Sequence, residues 1–144
     1  VTTETLLAFD FGEKRIGVAI GNSLTRSARP LAIIETLRKE ERFEKIAALL
    51  TAWQPQRLVV GIALASDGSE HRMTQRCERF ANQLQGRFGL PVERVDERFS
   101  STEALALRRE LRQKRSLKAS SGIDDLAAQV ILQSYFEARD AKTA

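Results

Sequence analysis

Three groups of acidic residues stand where their surroundings give a charge little reason to be: Asp10, the pair Asp96-Glu97 and the pair Asp124-Asp125. Asp10 follows the apolar run Leu6-Leu7-Ala8-Phe9, and a carboxylate in such a strand is costly to bury without a partner. Gly12, Lys14 and Arg15 come next, a tight turn that presents positive charge. The segment therefore suggests a metal or phosphate site built on a sheet. In open α/β sheets, sites form beyond the carboxyl ends of the parallel strands, and there all three acidic groups could meet. Ionised carboxylates that converge repel. At ~4 Å and an effective dielectric of about 20, each pair costs about 4 kcal/mol and three pairs about 12 kcal/mol. That is comparable with the whole stability of a domain. A divalent cation removes the conflict. Oxygen-only ligands select Mg²⁺ or Mn²⁺, ions that serve phosphodiester hydrolysis. Each acid also has a plainer reading. Asp124 and Asp125 favour a helix dipole by ~0.3–1 kcal/mol each, Asp96 or Glu97 can pair with Arg94 or Arg98, and Asp10 can cap the turn at Gly12.

Other chemistries are thinly supplied. The only cysteine is Cys77 and the only histidine His71, which excludes an internal disulfide, a cysteine zinc site and a multi-histidine centre. Lysine and arginine total 23 against 19 acids, a net charge of +4, which is only a mild hint of a polyanionic partner. The distribution says more. Arg108, Arg109, Arg112, Lys114, Arg115 and Lys118 face the single acid Glu110, a block that reads either as the footprint of a nucleic-acid binder or as a solvated helix end. Trp53, Phe99 and Tyr135 could stack on bases, or simply pack. No apolar run reaches the ~18 residues of a membrane span. The apolar start alternates into a strand and carries Asp10, so a cytoplasmic location is the expectation.

The elements that must position these groups follow from periodicity. Thr5–Phe11, Arg15–Gly21 and Pro30–Thr36 read as strands, and their short connections argue for antiparallel pairing. A helix over Glu40–Trp53 carries Phe43, Ile46, Ala47, Leu50 and Trp53 at three- and four-residue spacing and ends at Pro55. Residues 57–62 form a continuously apolar strand, as expected for one buried on both faces. After the Asp67-Gly68 turn, a second helix over Glu70–Phe88 has the stripe Met73, Cys77, Phe80, Leu84 and Phe88, which places Cys77 in the core. Pro91–Val95 is a fifth strand, Ser100 and Glu103 have capping-box spacing for a third helix, and a last helix spans Asp124–Arg139 with a frayed tail after Asp140. Its expected buried face is Ile123, Ala127, Val130, Ile131, Ser134 and Tyr135. No repeat or linker divides residues 1–144, which suits one α/β domain with a mixed sheet and helices on both faces.

Four of these segments together resemble a known family. Asp10-Phe11-Gly12-Glu13-Lys14-Arg15-Ile16-Gly17-Val18-Ala19 is similar to the opening motif of the YqgF (RuvX) family. Val59-Val60-Gly61-Ile62-Ala63 with Asp67-Gly68 resembles the second, Asp96-Glu97-Arg98-Phe99-Ser100-Ser101 with Glu103-Ala104 the third, and Asp124-Asp125-Leu126-Ala127-Ala128 with Ile131-Leu132 the fourth. Each motif is weak alone, and four in register are specific. The chain departs from the family at Ala63, where proline is usual, and at Gly21-Asn22, where Ser-Asp is common. The resemblance implies an RNase H-like fold related to the Holliday-junction resolvase RuvC, with a central five-stranded mixed sheet. It implies a cytoplasmic bacterial nuclease that needs Mg²⁺ or Mn²⁺, with the family's acids at Asp10, Glu97 and Asp124 and its nearby arginines at Arg15 and Arg98. The substrate it implies is nucleic acid, either the 5′ precursor of 16S ribosomal RNA or branched DNA, with Lys14 and the basic block 108–118 following the backbone. Monomer and homodimer both remain open. Two other readings stand beside this one. A non-catalytic nucleic-acid-binding module of the same fold would bind without cleaving. Sugar kinases and actin-like ATPases share a similar phosphate-binding opening, but they duplicate the fold and this chain has one copy.

Overall fold

The computed structural model describes residues 3–12, 14–35, 38–62, 72–96 and 127–143, with side chains of the last helix through Arg139. Its elements are β1 (Thr5–Phe11), β2 (Arg15–Asn22), β3 (Ser27–Glu35), α1 (Lys39–Trp53), β4 (Arg57–Ile62), α2 (Arg72–Phe88), β5 (Val92–Asp96) and α3 (Ala127–Thr143). The sheet runs in the order β3-β2-β1-β4-β5. β1 pairs antiparallel with β2, and β2 with β3, while β1–β4 and β4–β5 are parallel. This is the mixed sheet expected from the short early connections and the later helical crossovers.

Alternation sorts the strand residues onto two faces. Leu7, Phe9, Ile16, Val18, Ile20, Ile34, Leu58, Val60 and Ile62 pack with α1 and α2. Phe80 of α2 centres this layer, with ring centroids 5.9 Å from Phe9, 4.8 Å from Phe11 and 6.1 Å from Phe43. Cys77 is buried in the same layer, as its place on the apolar stripe implies. Leu6, Ala8, Ala19 and Val59 form the other face, against Ala128, Ile131, Leu132, Tyr135 and Phe136 of α3. The strand residues under α3 are small, so the helix lies close. A Cβ added at Gly21 would come 2.7 Å from Leu132 Cδ2 and 2.5 Å from the Ser27 carbonyl.

Helix ends follow local chemistry. α1 stops where Gln54 takes a left-handed conformation ahead of Pro55 and its N–H donates to the Leu50 carbonyl at 2.8 Å. α2 stops at Gly89, which has φ +68° and donates its N–H to the Gln85 carbonyl at 2.9 Å.

Some boundaries differ from expectation. β3 starts at Ser27 rather than Pro30, because the preceding turn closes tightly. Asn22 Oδ1 accepts from the Leu24 N–H at 2.8 Å, Arg26 adopts φ 54°, and its N–H reaches the Asn22 carbonyl at 2.8 Å. Asn22 thereby extends β2 and pairs with Ser27. β3 is an edge strand, where polar residues and proline are tolerated, so its first three residues do not look strand-like. β5 is displaced by one residue, to Val92–Asp96. α3 continues to Thr143 instead of fraying after Asp140. Its last turns are tied down where Arg139 pairs with Glu4 at 3.3 Å and lies over the Tyr135 ring. Among the described residues, no helix is long and apolar enough to cross a membrane.

Candidate active site

Asp10 is the next-to-last residue of β1, half-buried and directly opposite Gly17 of β2. It shares parity with Leu6 and Ala8, both packed against α3, so the carboxylate belongs to the α3 face. The turn that follows requires its glycine: a Cβ at Gly12 would sit 2.7 Å from the Arg15 carbonyl. That close return puts Lys14 and Arg15 in solvent at the lip of the sheet, beside Asp10.

The carboxyl ends of the parallel strands lie together at this end of the sheet. Phe9 registers with Val60, and Ile62 with Asp96. Along β5 the faces alternate. Arg94 reaches toward α2, bonding Glu78 at 2.7 Å and Asn82 at 2.7 Å. Val95 packs against the α3 cluster. Asp96 therefore shares the α2 side with Arg94, on the face opposite Asp10. Of the adjacent acids Asp96 and Glu97, the structure turns the first away from Asp10's face.

α3 crosses from β3, where Gln129 Nε2 donates to the Ala28 carbonyl at 3.0 Å, to β1. Its C-terminal part is held at the start of that strand, where Arg139 Nη1 meets Glu4 Oε1 at 3.3 Å. Arg57 extends this anchor, contacting Glu93 at 2.6 Å and Glu4 at 3.4 Å. Tyr135 packs into it. Burial pushes the Tyr135 phenol above its ordinary pKa, against the pull of Arg139 and Arg57. Ala28 registers with Gly21, and Gly21 with Leu6, so the first turn of α3 lies over the β2–β3 side of the sheet. Asp124 precedes Ala127 by three residues.

Asp10, Lys14 and Arg15 are thus placed at the carboxyl end of the sheet. Glu97, Arg98, Asp124, the basic residues Arg108, Arg109, Arg112, Lys114, Arg115 and Lys118, and the helix expected from Ser100 lie outside the described residues. So do Ala63 and the Asp67-Gly68 turn. Among the described residues no three potential ligands converge, and Asp10 is the one member of the expected triad within that set. The anchor of Glu4, Arg57, Glu93, Arg139 and Tyr135 has no local signature in the sequence. Only the pairing of Leu6 with Arg57 and of Val59 with Glu93 brings its strand members together.

Comparison with known proteins agrees with this architecture. The family described as "RuvX: Holliday junction resolvase" matches residues 4–138. A protein of Bordetella petrii named "Putative pre-16S rRNA nuclease" is 60% identical over 135 residues, covering 94% of this chain and 96% of its own. A protein of the same name from Burkholderia cenocepacia is 57% identical over 133 residues, covering 92% and 89%. Among solved structures, the RuvC of T. thermophilus in complex with a Holliday junction substrate superposes with a TM-score of 0.58 at 19% identity, covering 95% of this chain and 96% of its own. The Fowlpox virus resolvase in complex with Holliday junction DNA gives 0.57 at 14% identity, covering 94% and 98%. At such identities the superpositions speak to the fold alone, and they share the RNase H-like sheet described above. The chain belongs to the RuvX family.

Proposed function

We propose that this chain is a metal-dependent endonuclease that hydrolyses nucleic-acid phosphodiesters and matures the 5′ end of pre-16S ribosomal RNA in the cytoplasm. The observation that carries the reading is the placement of Asp10. It stands at the carboxyl end of a central parallel strand, on the face covered by α3. The names of the relatives support the substrate. Asp10, Glu97 and Asp124 are the residues that would hold one or two Mg²⁺ or Mn²⁺ ions. An oxygen-only donor set of net negative charge suits such hard cations. A cation held there would supply Lewis acidity to the attacking water and to the leaving oxygen.

The chain's own residues do the rest. Arg15 and Arg98 steady the phosphate as negative charge develops, and Lys14 lies next to Arg15 at the lip. The block from Arg108 to Lys118 contacts the backbone and gives affinity with little sequence reading. No side-chain nucleophile enters, which suits a chain whose single cysteine is buried in the core.

The family's description favours one other substrate, a four-way DNA junction. A side-by-side assay tests both. Wild-type protein with Mg²⁺ or Mn²⁺ is offered RNA carrying the 5′ precursor extension, a four-way junction and linear DNA, and Asp10→Asn is run in parallel. Cleavage of the RNA by wild type and its loss in Asp10→Asn, with binding retained, is the expected result. Preferential cleavage of the junction moves the function to DNA. Salt-dependent binding with no cleavage at any enzyme concentration leaves a binding module, and undiminished cleavage by Asp10→Asn sinks the carboxylate mechanism.

A further inference from the structure

Trp53 is the single tryptophan of the chain, and it sits at the end of the apolar stripe of α1. Phe43 and Ile46 of that stripe are buried, yet Trp53 remains 40% exposed. The Arg29 guanidinium of the edge strand β3 lies over its ring, 5.5 Å from the centroid. Arg29 is itself exposed, and so are Thr25 and Arg26 in the adjoining turn. The two stretches that build this surface, residues 22–34 and 45–55, contain Arg26, Arg29 and Lys45 and not one acid. Glu4 and Glu93 are turned to the α3 side, where they hold Arg57. An exposed indole with a guanidinium over its ring and no carboxylate in its own strips matches an unpaired base with its phosphate. The indole supplies a flat stacking surface, and the guanidinium a charge-assisted bond to phosphate oxygen.

Its position decides which part of a substrate it can meet. Arg29 registers with Ile20, and Ile20 with Leu7, three residues short of Asp10 and two strands away. That is roughly 10 Å along the strands and roughly 10 Å across them. The side chains of Arg29 and Ile20 are on the α1 side, opposite Asp10. The surface therefore lies behind the active-site end and beyond reach of the reacting phosphate. It is positioned for a strand that passes around the β3 edge.

We propose that Trp53 and Arg29 form a stacking platform for a single-stranded segment of the nucleic-acid substrate, flanking the cleavage site. The proposal rests on the nuclease reading and deepens it. It predicts a preference for substrates with an unpaired stretch next to the scissile bond, because a base held in a duplex cannot stack on the indole.

Because Trp53 is the only tryptophan, its fluorescence reports this surface directly. The Asp10→Asn protein is titrated with a single-stranded RNA oligomer and with a blunt RNA duplex, and binding is followed in parallel by anisotropy of labelled RNA. Expected are saturable quenching by the single strand that weakens with salt, and little quenching by the duplex. Trp53→Ala and Arg29→Gln should each weaken single-strand binding roughly tenfold, the scale of one lost stacked base, with far-ultraviolet circular dichroism and melting unchanged. In wild-type background, Trp53→Ala should raise KM with little change in kcat. Anisotropy showing tight binding without quenching overturns the platform while leaving the nuclease reading intact. Absence of binding to both RNA probes and to a four-way DNA junction overturns the nuclease reading itself. Equal quenching by an acidic peptide shows a protein-docking surface and also overturns the proposal. If Trp53→Ala is misfolded, Arg29→Gln and the wild-type quenching decide.

Discussion

Replacing Gly21 with alanine should unseat α3 from the sheet face that carries Asp10. The added Cβ would meet the Ser27 carbonyl at 2.5 Å, Leu132 Cδ2 at 2.7 Å and Phe136 Cε2 at 3.1 Å. A leucine methyl can swing away. The carbonyl cannot, because Gly21 and Ala28 are paired in the β2–β3 ladder and Ser27 is locked to Asn22. Relief must come from moving β3 outward or lifting α3 off the sheet, and either motion opens the layer of Leu6, Ala8, Ala19 and Val59. Overpacking of this kind costs typically about 1–3 kcal/mol, and a backbone clash puts Gly21→Ala at the upper end, about 3 kcal/mol. For a chain of this length that lowers Tm by roughly 10 °C. Gly86 is the internal control. It lies within α2 with nothing within 4 Å of an added Cβ, so Gly86→Ala should stabilise by about 0.5–1 kcal/mol through helix propensity alone. Urea unfolding of the two variants beside wild type measures both signs. At temperatures where Gly21→Ala is still folded, its cleavage rate should fall while Gly86→Ala keeps full activity. A Gly21→Ala protein within about 0.5 kcal/mol of wild type, a difference ordinary for surface substitutions, would refute the close seating of α3 on β2.

Other outcomes follow from the same geometry. Gly12→Ala forces the Arg15 carbonyl back from its 2.7 Å approach, so cleavage should drop through displaced Lys14 and Arg15 with a smaller loss of stability than Gly21→Ala; equal activity would show that the turn does not set the site. The Tyr135 phenol is raised above 10.0 chiefly by burial. Its folded form therefore holds the proton more tightly than the unfolded chain does, and the stability it contributes is complete below pH 10 and is lost as pH rises through the folded pKa. Unfolding measured from neutral to strongly alkaline pH should show that decline in wild type and a shallower one in Tyr135→Phe. Tyr135 is also the only tyrosine, so the tyrosinate absorbance follows this one group.

Periodicity and punctuation alone give the order of strands and helices, because alternation, three- and four-residue spacing, Pro55 and Gly89 all act locally. The buried stripe of α2 is legible for the same reason. Edges are harder. Ser27, Ala28 and Arg29 carry no strand signal, and only the Asn22 turn and the partner strand make them β3. Trp53 has the spacing of a core residue, but the sheet beneath the end of α1 is already at its edge, so the indole stays 40% exposed. On α3, Ala128, Leu132 and Phe136 are buried beyond the expected stripe, because a helix lying across small strand residues sinks deep enough to bury more than one row.

The acids divide along the same line. Sequence by itself singles out Asp10, Asp96-Glu97 and Asp124-Asp125, since a charge at the end of an apolar strand or at a helix start is conspicuous without knowing the fold. Where the first member of the second pair faces is a matter of tertiary structure. Arg94 bonded to α2 and Val95 packed under α3 show which way β5 faces, and a single residue of register carries a side chain to the opposite side of a sheet. The orientation of α3 is likewise set from far away in the chain, by Arg139 meeting Glu4 across |i−j| = 135. Local sequence proposes the carboxylates; the register of the strands puts Asp10 and Asp96 on opposite faces of the sheet.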